Sequence, residues 1–258
     1  MTGYESFKQK IYRKTGINLS LYKEKQMKRR LESLVSRNGF SNFDDYFNEI
    51  DKNKLLFDEF INYMTINVSE FYRNSEQWNV LEKNIIPSLI KSGTNLKVWS
   101  AACSTGEEPY SLVMLLSKFM PLNKINILAT DIDKEAMNKA KNGIYLEKSL
   151  KNLPSEFISK FFDKLGNNTY SIKEDIKNRV TFKQHNLLEE SFPDSCDLIV
   201  CRNVMIYFTE EAKANIYHKF SQSLKESGVL FVGSTEQIIM PHRYNLKPIR
   251  TFFYGRAS

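Results

Sequence analysis

The stretch Val98-Trp99-Ser100-Ala101-Ala102-Cys103-Ser104-Thr105-Gly106-Glu107-Glu108-Pro109-Tyr110-Ser111 decides how this chain reads. An apolar run gives way to small residues and then to a helix start, the order of a strand, a ligand-facing loop and a helix. Small side chains let the backbone approach a ligand closely, and the helix N-terminus adds oriented N–H groups. Glu107 and Glu108 would repel a phosphate, and no Walker lysine follows. Two carboxylates suit a ligand that carries an ammonium or sulfonium cation.

Around that stretch, from Leu96 onward, short β-branched and apolar runs alternate with amphipathic helices, the pattern of a parallel sheet built from βαβ units. It predicts strands at Leu96–Ser100, Ile125–Thr130, Val180–Phe182, Leu198–Cys201 and Val229–Gly233, and a final antiparallel strand near Phe252–Gly255. Helices are expected at Tyr110–Phe119, Lys134–Asn142 and Glu210–Lys225. Residues 147–178 break the rhythm with mixed signals, including a Gly166-Asn167-Asn168 turn, and read as an insertion.

Asp131 closes the second strand 25 residues after Gly106, where a doubly wound fold places the acid that binds ribose hydroxyls. Alone it would equally serve as a helix N-cap; its register with the glycine loop favours ribose. The run Asp197 to Phe208 ends another buried strand with Arg202 and Asn203 at the carboxyl edge of the sheet, where ligands of open α/β folds bind. Taken singly, Arg202 could be a surface ion pair and Asn203 a turn residue. Together these segments describe a site for an adenosine ligand with a positive tail.

Residues 5–64 read as short helices punctuated by Gly16 and Gly39, with Phe7, Ile11 and Tyr12 on one face and Phe43, Tyr46, Phe47 and Ile50 on another. A helix over Leu21–Ser36 carries the stripe Met27, Leu31, Leu34, with Lys23, Arg30 and Arg37 at seven-residue intervals on its flank. Residues 8–37 hold ten Lys or Arg against Glu24 and Glu32, whereas the rest of the chain has 27 basic and 28 acidic residues. A patch so localised points to an acidic partner, although a solvated helix face is the commonest meaning of such a run. The polar opening and the lack of a membrane-length apolar run make the cytoplasm the expected location. Cys103, Cys196 and Cys201 form no CxxC pair, so neither a disulfide framework nor a metal site is expected.

The segments Asn67-Val68-Ser69-Glu70-Phe71-Tyr72-Arg73, Val98 to Ser111, Ala129-Thr130-Asp131-Ile132-Asp133 and Cys201 to Phe208 together resemble the chemotaxis receptor glutamate O-methyltransferase (CheR) family, in the same order and spacing. The resemblance covers nearly the whole chain. It implies a class I S-adenosylmethionine-dependent methyltransferase: a Rossmann-like, mostly parallel seven-stranded sheet with a small all-α N-terminal domain and a small inserted subdomain. The implied division is residues 1–66 for receptor recognition, 67–80 as a linker closing over the cofactor, and 81–258 for catalysis. S-adenosylmethionine would be the donor, S-adenosylhomocysteine the product, and glutamates on the cytoplasmic helical bundle of chemotaxis receptors the acceptors.

By the same resemblance, Asn67, Ser69 and Arg73 match the linker motif over the cofactor, Glu108 the contact to the methionine moiety, and Asp131 the ribose ligand. Asn186 and Leu187 match adenine-side contacts, Arg202 and Asn203 later cofactor contacts, and Tyr207 a tyrosine facing the methyl group. Some family members dock a short peptide at the receptor's C-terminus on a longer hairpin. The stretch Phe162 to Phe182 is shorter and lacks that hairpin's glycine pattern, which argues against tethered docking. Receptor recognition is instead expected from the basic helix, at Arg30 with Lys23, Arg29 and Arg37.

A glutamate with a reference pKa of ~4.3 is ionised at neutral pH, so its methylation needs no general base. His185, His218 and His242 have no evident carboxylate or cysteine partner in sequence and are expected to be structural or surface residues. Arg73 is expected to position the incoming carboxylate and Tyr207 to shape the methyl channel. A nucleic-acid methyltransferase is the rival enzyme. However, no Asn/Asp-Pro-Pro-aromatic tetrapeptide follows the fourth strand, and Cys201 lacks a Pro-Cys setting. A non-catalytic sensor of the cofactor is the rival outside enzymes, and the intact Arg73 and Tyr207 weigh against it.

Overall fold

Nearly every residue of Val98–Ala101, Ile127–Asp131 and Cys196–Cys201 is buried, as strands covered by helices on both faces require. The computed structural model describes residues 1–91 and 95–257. Among these, the strands are β1 (Val98–Ala101), β2 (Ile127–Asp131), β3 (Ile144–Leu146), β4 (Phe162–Gly166), β5 (Thr169–Ile172), β6 (Val180–Gln184), β7 (Cys196–Cys201), β8 (Leu224–Val232), β9 (Leu246–Arg250) and β10 (Phe253–Arg256). The helices are α1 (Tyr4–Thr15), α2 (Glu24–Arg37), α3 (Phe43–Ile50), α4 (Lys54–Thr65), α5 (Ser75–Val80), α6 (Ile86–Lys91), α7 (Glu107–Leu116), α8 (Lys134–Asn142), α9 (Ser155–Phe161), α10 (Glu174–Lys177) and α11 (Glu210–Ser223).

The main sheet has seven strands in the order β6-β2-β1-β7-β8-β10-β9. The first five are mutually parallel, and β10 runs antiparallel to both β8 and β9. From β1 the chain winds outward through β2 to β6, then returns to β7 on the other side. The crevice between the ends of β1 and β7 is therefore the switch point at which such sheets bind ligands. Gly106 makes the close approach behind it, with φ of 93° and a hypothetical Cβ only 2.7 Å from that of Ala140 in α8.

The five strands expected in the parallel part and the final antiparallel strand are all present, with ends displaced by a few residues. β9 is an addition to the expected pattern. Its Pro248 argues against a sheet interior, but β9 is an edge strand bonded only to β10, where a missing N–H is tolerated. The insertion forms its own antiparallel sheet, β3-β5-β4, which begins at Ile144, ahead of the expected residue 147. The Gly166-Asn167-Asn168 turn joins β4 to β5, with all three residues at positive φ.

The N-terminal helices pack around Phe7, whose ring lies 5.0–6.3 Å from those of Phe43, Tyr46, Phe47 and Phe60. Tyr12 does not share the buried face expected for it and is 47% exposed, because the buried stripe of α1 runs through Tyr4, Phe7 and Ile11. The second helix begins at Glu24 rather than Leu21, since Asn18 caps a separate turn at Leu19–Leu21. Met27, Leu31 and Leu34 are buried as expected.

Main-chain bonds join these helices to the sheet. Lys23 N–H donates to the Tyr207 carbonyl and Thr209 N–H to that of Leu21, both at 2.9 Å, with Tyr22 bridging Phe208 between them. At the other end of the helical unit, the Thr65 hydroxyl donates to Asp133 at 2.8 Å.

Candidate active site

A cleft continuous with solvent opens at the carboxyl ends of β1, β2 and β7 and is roofed by residues 64–70. It brings together residues far apart in sequence: Asn67, Ser69, Arg73, Glu108, Asp131, Asn186, Leu187, Arg202, Asn203 and Tyr207 all line it. Tyr22 and Phe208, the pair that links the helical unit to the sheet, close one side. Four lining residues, Ile66, Ala102, Ser104 and Asn203, have φ between 49° and 63°. Left-handed conformations cost about 1–3 kcal/mol each outside glycine and persist only where the surroundings hold them, as at ligand clamps.

Asp131 accepts the N–H of Ser104 at 2.7 Å and that of Asp133 at 2.9 Å, one on each oxygen. Burial nevertheless pushes its carboxyl up to about 6. The helix-capping role considered for Asp131 is filled by Asp133, which accepts the N–H groups of Glu135 and Ala136. The other oxygen of Asp133 accepts from Asn67 at 2.7 Å, and Asn67 in turn accepts the Ser104 hydroxyl at 2.9 Å. One amide thus ties the roof to the loops after β1 and β2. Sequence reasoning passed over Asp133 and Thr65 because a second acid after a strand and a threonine at a helix end carry no distinctive signal.

At Glu108, burial pushes the carboxyl up to about 7 despite the Ser100 hydroxyl at 2.8 Å and the Arg202 guanidinium at 3.7 Å. Arg202 is no surface ion pair: its side chain is 2% exposed. It donates to the Arg73 carbonyl at 2.7 Å, Gln77 at 2.9 Å and Asn74 at 3.2 Å. Its guanidinium also stacks 4.7 Å from the Phe231 ring. Arg73 is half-buried at the cleft and donates to the Val68 carbonyl at 3.0 Å.

On the far side, Asn186 donates to the Gly16 carbonyl at 3.3 Å and accepts the Leu188 N–H at 3.0 Å. His185 also lines the cleft; it is buried, with Nε2 3.1 Å from the Ser191 carbonyl.

Of the cations expected to meet a receptor, Lys23 and Arg29 are exposed and enter no ion pair among the described residues. Arg30 and Arg37 are more committed. Arg30 donates twice to the Tyr63 carbonyl and stacks 4.4 Å over that ring, while Arg37 pairs with Glu59 at 2.6 Å. Lys10 and Lys14 pair with Asp44 and Asp51 at 2.7 Å, so the basic run is partly neutralised in the fold. Among the described residues no group of acids, cysteines and histidines could hold a metal ion.

A mostly parallel sheet with a cleft at its switch point, lined by two carboxylates that burial holds above their usual range, is the architecture of an α/β methyltransferase of class I. The chain belongs to the CheR methyltransferase family. Residues 67–253 match its SAM binding domain, and residues 2–65 match its all-alpha domain. It is 43% identical to a chemotaxis protein methyltransferase of Listeria innocua over 97% of this chain and 96% of that one. The corresponding protein of Borreliella burgdorferi is 38% identical over 91% and 90% of the two chains, and that of Escherichia coli K12 is 32% identical over 95% and 87%.

The residues present fit S-adenosylmethionine: two carboxylates raised by burial gain from a neighbouring cation and from hydroxyl donors, and both line the cleft. When bound, it supplies an electrophilic methyl group on a sulfonium.

A pH dependence follows. Both carboxylates must be ionised to serve such a ligand, and free-protein values of about 6 and about 7 leave them partly protonated in mildly acidic solution. Affinity for S-adenosylhomocysteine should therefore rise with pH and level off above the Glu108 value, weakening by about tenfold per pH unit per protonated group below each pKa. Titration calorimetry between pH 5.5 and 8 checks this, and a flat profile would contradict it.

Proposed function

We propose that this methyltransferase esterifies glutamate side chains on the cytoplasmic helical bundle of chemotaxis receptors. The observation that carries the reading is the charge polarity of the cleft: carboxylates inside, facing a cationic donor, and the half-buried Arg73 beside Tyr207, facing an anionic acceptor. An ionised acceptor needs no base, and His185, the one histidine lining the cleft among the described residues, has its ring nitrogen at the Ser191 carbonyl. Negative oxygen and positive sulfur lose charge together as methyl moves, so a water-poor cleft favours the step. The protein's part is alignment: Arg73 positions the carboxylate, Tyr207 shapes the channel, and Asp131, Glu108, Asn67, Ser69, Asn186, Leu187, Arg202 and Asn203 hold the donor. Such positioning can supply roughly 7–11 kcal/mol.

Receptor recognition is assigned to the basic face of α2, with no tethered docking on the insertion. No helix among the described residues is long and apolar enough to cross a membrane. Incubating the protein with methyl-labelled S-adenosylmethionine and receptor-containing membranes should give label that alkali releases as volatile methanol. Alkali-stable label, or label on added RNA, would overturn the reading.

Charge reversal tests the recognition face. Arg29→Glu and Arg30→Glu should each depress receptor methylation on the order of tenfold while sparing affinity for S-adenosylhomocysteine. Arg29 is the cleaner position because Arg30 also braces Tyr63. An unaffected rate in both would move docking to another face.

A further inference from the structure

Glu236 is buried behind the site, and its carboxylate accepts three backbone N–H groups: Asn203 at 2.6 Å, Met205 at 2.8 Å and Gly233 at 2.9 Å. Two of the three donors belong to the loop after β7, which carries Arg202, Asn203 and Tyr207; the third, Gly233, directly follows β8. Asn203 is held at φ of 61°, a conformation that needs support from its surroundings. The turn from Met205 to Tyr207 follows directly, with Tyr207 N–H on the Val204 carbonyl at 3.2 Å. Gly233 makes room for the arrangement, since a Cβ there would lie 2.4 Å from Glu236 Oε2 and 3.0 Å from the Asn203 nitrogen.

We infer that Glu236 is a positioning residue for methyl transfer, fixing the loop after β7 so that Asn203 meets the donor and Tyr207 meets the acceptor. A carboxylate shared by three N–H groups has no equivalent among neutral side chains, because an amide must turn an N–H toward one of the donors. Losing it frees Asn203 to leave its left-handed conformation, and the displacement carries Tyr207 with it. This inference rests on the roles proposed above for Asn203 and Tyr207.

Two variants reach the same contact from opposite sides. Glu236→Gln keeps the shape and removes one of the two acceptor oxygens; Gly233→Ala keeps the carboxylate and crowds it. At a temperature well below melting, each should weaken binding of S-adenosylhomocysteine by about tenfold and lower kcat for receptor methylation by a further tenfold or more. Glu236→Asp, which restores the charge, should recover part of both. A folded Glu236→Gln or Gly233→Ala protein with wild-type affinity and wild-type kcat overturns the inference, since lost packing alone would lower only the melting temperature. The binding readout uses no receptor. A failure of receptor methylation in the wild-type protein would instead count against the acceptor assignment.

Discussion

Arg73→Ala is expected to lower receptor methylation at saturating donor by on the order of 10²-fold or more while leaving the fold in place. The fold should survive because what anchors residue 73 is its main chain: its carbonyl accepts from Arg202 at 2.7 Å and from the Trp78 indole at 3.1 Å. Among the described residues, the side chain itself makes one hydrogen bond, to the Val68 carbonyl. What alanine removes is the guanidinium at the cleft, and with it the group proposed to hold the acceptor oxygen in line. Arg73→Lys should recover only part of the rate, since an ammonium lacks the fork that holds a carboxylate at two points. Affinity for S-adenosylhomocysteine, measured alongside, separates a lost donor contact from a lost acceptor contact. Near-normal turnover in the alanine variant would remove Arg73 from the mechanism.

Arg202→Met should be the most damaging change to the site's framework. It takes a donor from the Arg73 carbonyl, which keeps the Trp78 indole, from Asn74 and from Gln77, and it removes the guanidinium that faces Glu108. Removing one member of a buried pair costs about 3–5 kcal/mol. Here the lower end is expected, because Glu108 already sits at about 7 and can take a proton when its neighbour is lost. About 3 kcal/mol corresponds to a fall of roughly 6–12 °C in melting temperature for a chain of this size. The sign of the pH effect is a second signature. Without Arg202, Glu108 is raised further, so the rise of cofactor affinity with pH should shift to higher pH than in the wild type. An unchanged melting temperature and an unshifted affinity profile would show that the cluster does not act as described.

The parallel sheet was legible because its strands are short runs of mostly apolar residues that give way to small or polar loops, as at Val98–Ala101 and Leu198–Cys201. The cleft residues were legible for a related reason: in an open α/β sheet, ligand groups stand at the carboxyl ends of strands, so Glu108, Asp131, Arg202 and Asn203 announce themselves by position. What was not legible depends on contacts between distant segments. Nothing in Lys23 or Tyr22 indicates that their main chain bonds to Tyr207 and Phe208. Nothing in Thr65 or Asp133 indicates a latch between the helical unit and the second strand. Glu236 follows a strand like many surface glutamates, and only the fold turns it inward onto three N–H groups. Arg30 shows the opposite error of emphasis. Its heptad spacing marks it as a free cation, yet Tyr63 holds its guanidinium by hydrogen bonds and by stacking.

The most direct test of the account is a crystal structure with S-adenosylhomocysteine. The ribose hydroxyls should lie within hydrogen-bonding distance of Asp131, the amino group beside Glu108, and the sulfur should face the opening between Arg73 and Tyr207. A nucleoside bound elsewhere, or a cleft closed by its own side chains with the ligand at saturating concentration, would contradict it.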